Sequence, residues 1–248
     1  MNYKILSIFA MVVTTQATFA TESKEVRTDH ITSQIISAVE SIQPGQPFQV
    51  ALRLKIDDHW HTYYKNPGDS GLATSISWNL PEGFTTSKIQ WQTPKRLPYG
   101  PLTNFGYEGT VLHVATLVAP TTLKPGSTIT LKARGDWLVC EEICIPGSAD
   151  HELSLPVSAE LANPSQWLEE FDAFKKSQPK PLGKNHVIAG ISQGTLQLLI
   201  PEANSVETVH FFPDQEGFID NTVEPMITSS PEGLLLSVPL VTNPTEPE

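Results

Sequence analysis

The sequence predicts an all-β protein: a β-sandwich domain followed by a second, smaller β-rich domain, with one short connecting helix. Three features support this. Apolar and polar residues alternate at period two in several short runs, Pro/Gly turn signals separate the runs, and only one stretch shows helical spacing. The 21 prolines and 15 glycines are spread along the 248 residues rather than clustered, which suits many strands and turns.

Residues 1–20 read as a cleavable secretory signal. Lys4 supplies the early positive charge, Ile5–Val13 is almost continuously apolar, and Thr18-Phe19-Ala20 puts small residues at −3 and −1 before Thr21. The apolar run falls short of the about 20 residues a spanning helix needs, and no other stretch approaches that length. The mature chain is therefore expected to be exported and to have no transmembrane segment. The full chain carries −11, with 27 acidic against 16 basic residues, and loses Lys4 with the signal. An acidic surface without a basic stripe argues against nucleic acid as a partner.

Residues 21–160 hold the first set of strands. Phe48, Val50, Leu52, Leu54 and Ile56 alternate with Gln49, Ala51, Arg53 and Lys55. Ile76, Trp78 and Leu80 repeat the pattern. Val111–Val118 is apolar on both faces, as in a central strand. Ile129, Leu131 and Ala133 alternate again, and Leu153, Leu155 and Val157 close the set. Residues 161–184 read as helix and linker: Asn163 as N-cap, Pro164 at the first helical position, Trp167, Leu168, Phe171 and Phe174 at helical spacing, Lys175-Lys176 at the C-terminus. Residues 185–241 form the second β-rich domain, with strands expected at Leu196–Ile200, Val209–Phe212 and Leu234–Leu240, and it is expected to dock on the first domain or await a continuation. Residues 242–248 are a polar, proline-rich tail.

The chain has two cysteines, Cys140 and Cys144. In an oxidising compartment they are expected to pair. Four residues of extended strand span about 13 Å at ~3.3 Å per residue. A disulfide needs Cα atoms within roughly 7 Å. A bonded pair therefore requires a chain reversal, and the strand-like Trp137-Leu138-Val139 and Ile145 favour a tight hairpin over a helical turn. So small a ring restrains the unfolded chain weakly, by about 2 kcal/mol against about 3 for a fifteen-residue loop. Spacing alone leaves open a redox centre and a structural clip. A metal site is short of ligands, with two thiolates and no histidine pair nearby in sequence. Glu141 and Glu142 disfavour a thiolate by like charge, or are merely solvated turn residues.

Trp137-Leu138-Val139-Cys140-Glu141-Glu142-Ile143-Cys144-Ile145-Pro146 resembles the redox segment of the N-terminal periplasmic domain of the DsbD thiol:disulfide interchange family, and especially its ScsB branch. Trp60–Gly71, Pro98-Tyr99-Gly100 and Asn104–Gly109 are similar to two further elements of that family, the second being its cap loop. Phe211-Phe212-Pro213 and Phe218-Ile219-Asp220 are similar to a second β-domain in ScsB-like proteins.

The resemblance implies an immunoglobulin-like fold with the two cysteines on neighbouring strands, and no cofactor beyond the redox-active disulfide. It implies periplasmic electron relay from a thioredoxin-like donor, fed by a membrane electron-transfer domain, to disulfide isomerase-like acceptors, in settings such as cytochrome c biogenesis and copper tolerance. By analogy Cys144 forms the mixed disulfide and Cys140 resolves it. A lid on a glycine-flanked loop is expected to shield the dithiol. Phe105 is the candidate, with Tyr99 and Tyr107 beside it, and Tyr63, Tyr64, Asp69, Glu141 and Glu142 are candidate lining residues. His59 and His61 are expected at the surface, and no metal ligand is assigned. Two other functions compete: a non-catalytic binding module with a structural disulfide, and a copper-binding protein. The family's membrane and thioredoxin-like domains are not in this chain, which as it stands can relay electrons but not bring them across a membrane.

Overall fold

The computed structural model describes residues 20–181, 186–201 and 209–241. The expected signal, Ala20 apart, and the polar tail lie outside the described residues, as does part of the linker. In chain order the strands are β1 (Val26–Thr28), β2 (Ile31–Ser37), β3 (Pro47–Ile56), β4 (Thr62–Gly68), β5 (Ser75–Asn79), β6 (Thr85–Thr86), β7 (Lys95–Tyr99), β8 (Leu102–Tyr107), β9 (Thr110–Val118), β10 (Thr128–Cys140) and β11 (Cys144–Pro156). Helix α1 (Leu168–Ser177) follows, then β12 (Ile188–Ser192), β13 (Thr195–Pro201), β14 (Met226–Ser230) and β15 (Gly233–Pro239).

Period-two alternation builds the immunoglobulin-like sandwich. A sheet ordered β1-β2-β3-β9-β6 packs against one ordered β11-β10-β5. Between them lie Ile35, Leu52, Leu54, Ala115, Leu131, Ala133, Leu153 and Leu155, all buried. The sheets approach closely at Gly135, where a Cβ would meet Leu52 Cδ2 at 2.7 Å. Gly147 lies opposite Trp137 on β11 and lets that indole lie flat across the hairpin, a Cβ falling 2.4 Å from Nε1.

The apolar second face of β9 also has its reason. Ile36, Ala51, Leu112 and Val114 point away from the sandwich and are covered by Phe171 and Phe174 of α1. Arg53 ties this helix down: its Nε donates to both Glu170 carboxylate oxygens at 2.9 and 3.2 Å, and its guanidinium lies over the Trp167 ring. The helix starts later than Asn163-Pro164 predicted. Pro164 forms a β-bridge with Val39 and Asn163 O accepts from Glu40 N–H, so these residues continue the sheet edge. Ser165 then turns the chain, its Oγ accepting from Trp167 N–H at 3.1 Å.

The third sheet, β4-β8-β7, extends the β10 side of the sandwich through a single bridge, His61↔Cys140. The C-terminal sheet is ordered β12-β13-β15-β14, around Leu196, Ile219, Leu236 and Val238. Val209–Phe212, expected as a strand, is irregular. Its side chains serve two cores: Val209 and Phe211 pack on the C-terminal sheet, whereas Phe212 meets Phe105 edge-to-face at 5.0 Å.

The segment after it docks on the Asn66-Pro67-Gly68-Asp69 turn. Asn66 Nδ2 donates to Pro213 O at 2.7 Å, Asn221 Nδ2 donates to Asp69 Oδ1 at 2.8 Å, Arg96 donates to Asn221 O at 2.7 Å, and Lys65 pairs with Asp214.

Candidate redox site

β10 and β11 form one antiparallel hairpin whose register runs from Thr128↔Pro156 to Cys140↔Cys144, leaving Glu141, Glu142 and Ile143 as the turn. In an antiparallel strand the N–H and C=O of a residue point the same way. Cys140 uses both on His61, donating to His61 O at 3.0 Å and accepting from His61 N–H at 2.9 Å. Toward β11, therefore, Cys140 and Cys144 form a non-hydrogen-bonded pair, the type with the shorter Cα separation, about 4.5 Å. Their Cα atoms are 4.2 Å apart and the two sulfurs are bonded.

The face on which the disulfide lies follows from the same alternation. Leu131, Ala133, Trp137 and Val139 point into the sandwich. Cys140 is one residue out of phase, so its sulfur lies on the outer side of the sheet. It is nevertheless only 1% exposed. Its cover comes from β4: His61 is directly opposite Cys140 and shares its face, and Tyr63, two residues on, shares it too.

Tyr63 is 1% exposed, and its hydroxyl lies 3.7 Å from Cys144 Sγ. Burial pushes its pKa up to about 12, so it remains a donor to that sulfur. Gly71, at φ +110°, lies against the Tyr63 ring, where a Cβ would fall 2.1 Å from Cε1. Tyr99, at the end of β7, donates from its hydroxyl to Glu142 O at 2.7 Å and so holds the tip of the β7–β8 hairpin on the cysteine turn. Cys144 itself is exposed, as are Glu141, Glu142 and Ile143.

A family model, the N-terminal part of the thiol:disulfide interchange protein DsbD, matches residues 31–156. The chain belongs to the DsbD N-terminal domain family. It is a thiol–disulfide interchange domain with a cysteine pair, and the matched span runs from the start of β2 to the end of β11, enclosing the hairpin just described. The N-terminal periplasmic domain of ScsB from Proteus mirabilis has the same fold, with a TM-score of 0.64 at 17% identity over 89% of this chain and 85% of that one. The reduced DsbD N-terminal domain of Neisseria meningitidis aligns at 15% identity over 56% of this chain and 92% of that one, with a TM-score of 0.24. Among curated proteins none matches the chain.

Several DsbD-like expectations need correcting. Phe105 is in strand β8 rather than on a loop, and it is fully buried. Gly106 pairs with Tyr63 and shares its face. Phe105 and Tyr107 flank Gly106, so they point the other way, into the core, and are not placed to cover the sulfurs. Tyr64 likewise faces the core, edge-on to Trp91 at 5.6 Å and to Tyr107 at 6.3 Å. The Asp69 carboxylate accepts from Thr103 N–H at 2.7 Å and from Asn221, so it clamps the β4 turn to β8 and the C-terminal unit rather than facing the cysteine turn.

Of the two histidines expected at the surface, His59 is exposed at φ +73°, but His61 is only 8% exposed. No signal in a single sequence brings His61 to Cys140, since the bridge between them is a long-range pairing. Among the described residues no group of three or more His, Cys, Asp and Glu side chains is placed to hold a metal ion, and no helix is long and apolar enough to cross a membrane.

Proposed function

We propose that the Cys140–Cys144 couple relays electrons between thioredoxin-fold proteins in the periplasm, with Cys144 the sulfur that partners attack and Cys140 the one that leaves and resolves. The supporting observation is the asymmetry of the pair: Cys144 is exposed on the turn, while Cys140 is 1% exposed under His61 and Tyr63. A partner thiolate must reach the sulfur it attacks, and Cys144 is the exposed member of the pair.

On reduction, a donor thiolate attacks Cys144 Sγ. The Cys140–Cys144 bond breaks, a donor–Cys144 disulfide forms, and the electron pair leaves on Cys140 Sγ, which takes up a proton. The donor's second thiolate then attacks its own sulfur in the mixed disulfide and releases Cys144 as thiolate. The donor ends oxidised and the domain holds two thiols. Delivery to an acceptor runs the same steps in reverse.

Docking is served by exposed apolar side chains around Cys144. Ile143 is 64% exposed in the turn, Tyr99 is 37% exposed on the adjoining hairpin tip, and Leu72 is 68% exposed beside Gly71. The periplasmic assignment rests on the likeness to the ScsB domain, on the expected export signal and on the need for an oxidising compartment. The donor is assigned to a thioredoxin-like domain supplied by a membrane electron-transfer protein, and the acceptors to disulfide isomerase-like proteins.

Mixing the oxidised domain with a reduced thioredoxin-fold protein tests this. Trapping with a maleimide reagent is expected to show two new thiols per chain within the mixing experiment, with an unchanged near-ultraviolet circular dichroism spectrum. A disulfide that resists the donor, or whose reduction unfolds the domain, would identify a structural clip instead.

A further inference from the structure

The thiol-exchange reading leaves unexplained how Cys140 becomes a nucleophile. Its side chain is buried, and burial favours the neutral thiol over the thiolate. The nearest formal charges in sequence, Glu141 and Glu142, oppose ionisation as well. Resolution of the mixed disulfide nonetheless requires Cys140 to lose its proton.

We propose that His61 takes that proton. His61 and Cys140 are a directly opposed antiparallel pair, linked by two backbone hydrogen bonds at 2.9 and 3.0 Å. Opposed residues project to the same face with Cβ atoms about 5 Å apart, within reach of an imidazole. The His61 ring is 8% exposed, and its Nε2 is buried without a hydrogen-bond partner in the oxidised domain. A buried ring nitrogen with no partner is costly. A thiol appearing beside it on reduction supplies the missing donor. The Tyr63 ring packs edge-on to the imidazole at 5.2 Å.

Four other groups bear on this imidazole. Tyr63 stays protonated, Cys140 and Cys144 come from β10 and β11, and the Glu108 carboxylate, itself paired with Lys95 at 2.9 Å, favours the imidazolium. Desolvation outweighs Glu108 and keeps the free ring neutral, so its nitrogen is available as an acceptor at neutral pH.

The step is a proton transfer followed by an exchange. The Cys140 S–H proton moves to His61 Nε2, and the resulting thiolate attacks Cys144 Sγ in the Cys144–partner disulfide. The Cys140–Cys144 bond forms, and the bond to the partner breaks. The electron pair leaves on the partner's sulfur, which is protonated from the imidazolium or water. The partner gains two electrons and the domain returns to its disulfide.

The test measures resolution of a preformed mixed disulfide at Cys144, in the wild type and in His61→Phe, from pH 4 to 9. The wild-type rate is expected to show an inflection below pH 6.5 from the buried imidazole. His61→Phe should lose that inflection and fall about 100-fold at pH 7, its residual rate rising with pH as hydroxide replaces the missing base. His61→Gln, which keeps a hydrogen-bonding side chain but cannot titrate there, should behave like His61→Phe.

A wild-type profile without the low-pH inflection overturns the proposal, and requires no variant to fold. So does a variant that resolves at the wild-type rate across the range. If the wild type formed no mixed disulfide at all, the exchange reading itself would fail, which is a different outcome.

Discussion

Replacing Cys140 with alanine is expected to convert the domain into a trap. Cys144 remains exposed on the turn and still joins a partner's sulfur, but the buried thiol that would expel the partner is gone. A mixed disulfide at Cys144 should accumulate toward one partner per chain, and multiple-turnover exchange should fall by at least about 100-fold, as for loss of a group acting directly on the reacting atoms. The mirror variant, Cys144→Ala, should accumulate almost no adduct, because Cys140 is sealed beneath His61 and Tyr63. Non-reducing electrophoresis with any reactive thioredoxin-fold partner reads both results. Equal trapping by the two variants would mean that the hairpin opens freely in solution.

The second large effect is on stability in acid, and it comes from the core rather than the redox site. His113 sits on β9, fully buried between Trp91, edge-on at 5.1 Å, and Tyr107 at 6.0 Å, and neither ring nitrogen has a partner. Burial lowers its pKa from 6.5 to about 3. The unfolded imidazole binds a proton below pH 6.5, whereas the folded one stays neutral until about pH 3. The contribution is therefore complete above pH 6.5 and is lost as pH falls, at up to about 1.4 kcal/mol per pH unit, on the order of 4 kcal/mol by pH 3.

His61 and His151 shift in the same direction, each through burial, and add to the slope. The surface pair Arg27–Asp57 lowers the Asp57 pKa and acts only below the ordinary carboxylate range, so it does not mask this window. Denaturant unfolding between pH 7 and pH 4 should show the decline, and His113→Leu should remove about one proton's worth of its slope. A pH-independent midpoint from 7 to 4 would contradict the buried neutral imidazole.

Much of this fold was legible in the sequence because its cause is local. The alternation of Phe48 through Ile56 and of Ile129 through Ala133 decides which residues face the core, and each run became a strand. The run at Val111–Val118 reads as a two-faced apolar strand, and the structure shows that α1 is what covers its outer face. The reversal between the cysteines follows from chain geometry, since no straight strand brings residues four apart to bonding distance, and the strand-like flanks Trp137–Val139 and Ile145 favour the hairpin that is found.

The errors came where position depends on long-range pairing. β2 went unnoticed because Ser33, Gln34 and Ser37 are buried among its isoleucines, which hides the alternation. The family resemblance and the flanking glycine point to Phe105 as a cover, but the face it occupies is set by the pairing of Gly106 with Tyr63. His61 reads as a surface residue because its neighbour Cys140 is distant in the chain. At the redox site, then, the sulfurs were readable and their cover was not.

The central claim is that one sulfur of the couple is open to partners and the other is shielded by the outer face of β4. The most direct measurement is the alkylation rate of each thiol in the reduced, folded domain, resolved by mass spectrometry of the two labelled sites. Cys144 should react at least about tenfold faster than Cys140 near neutral pH, with the difference abolished in denaturant. Equal rates in the folded domain, or faster labelling of Cys140, would contradict it.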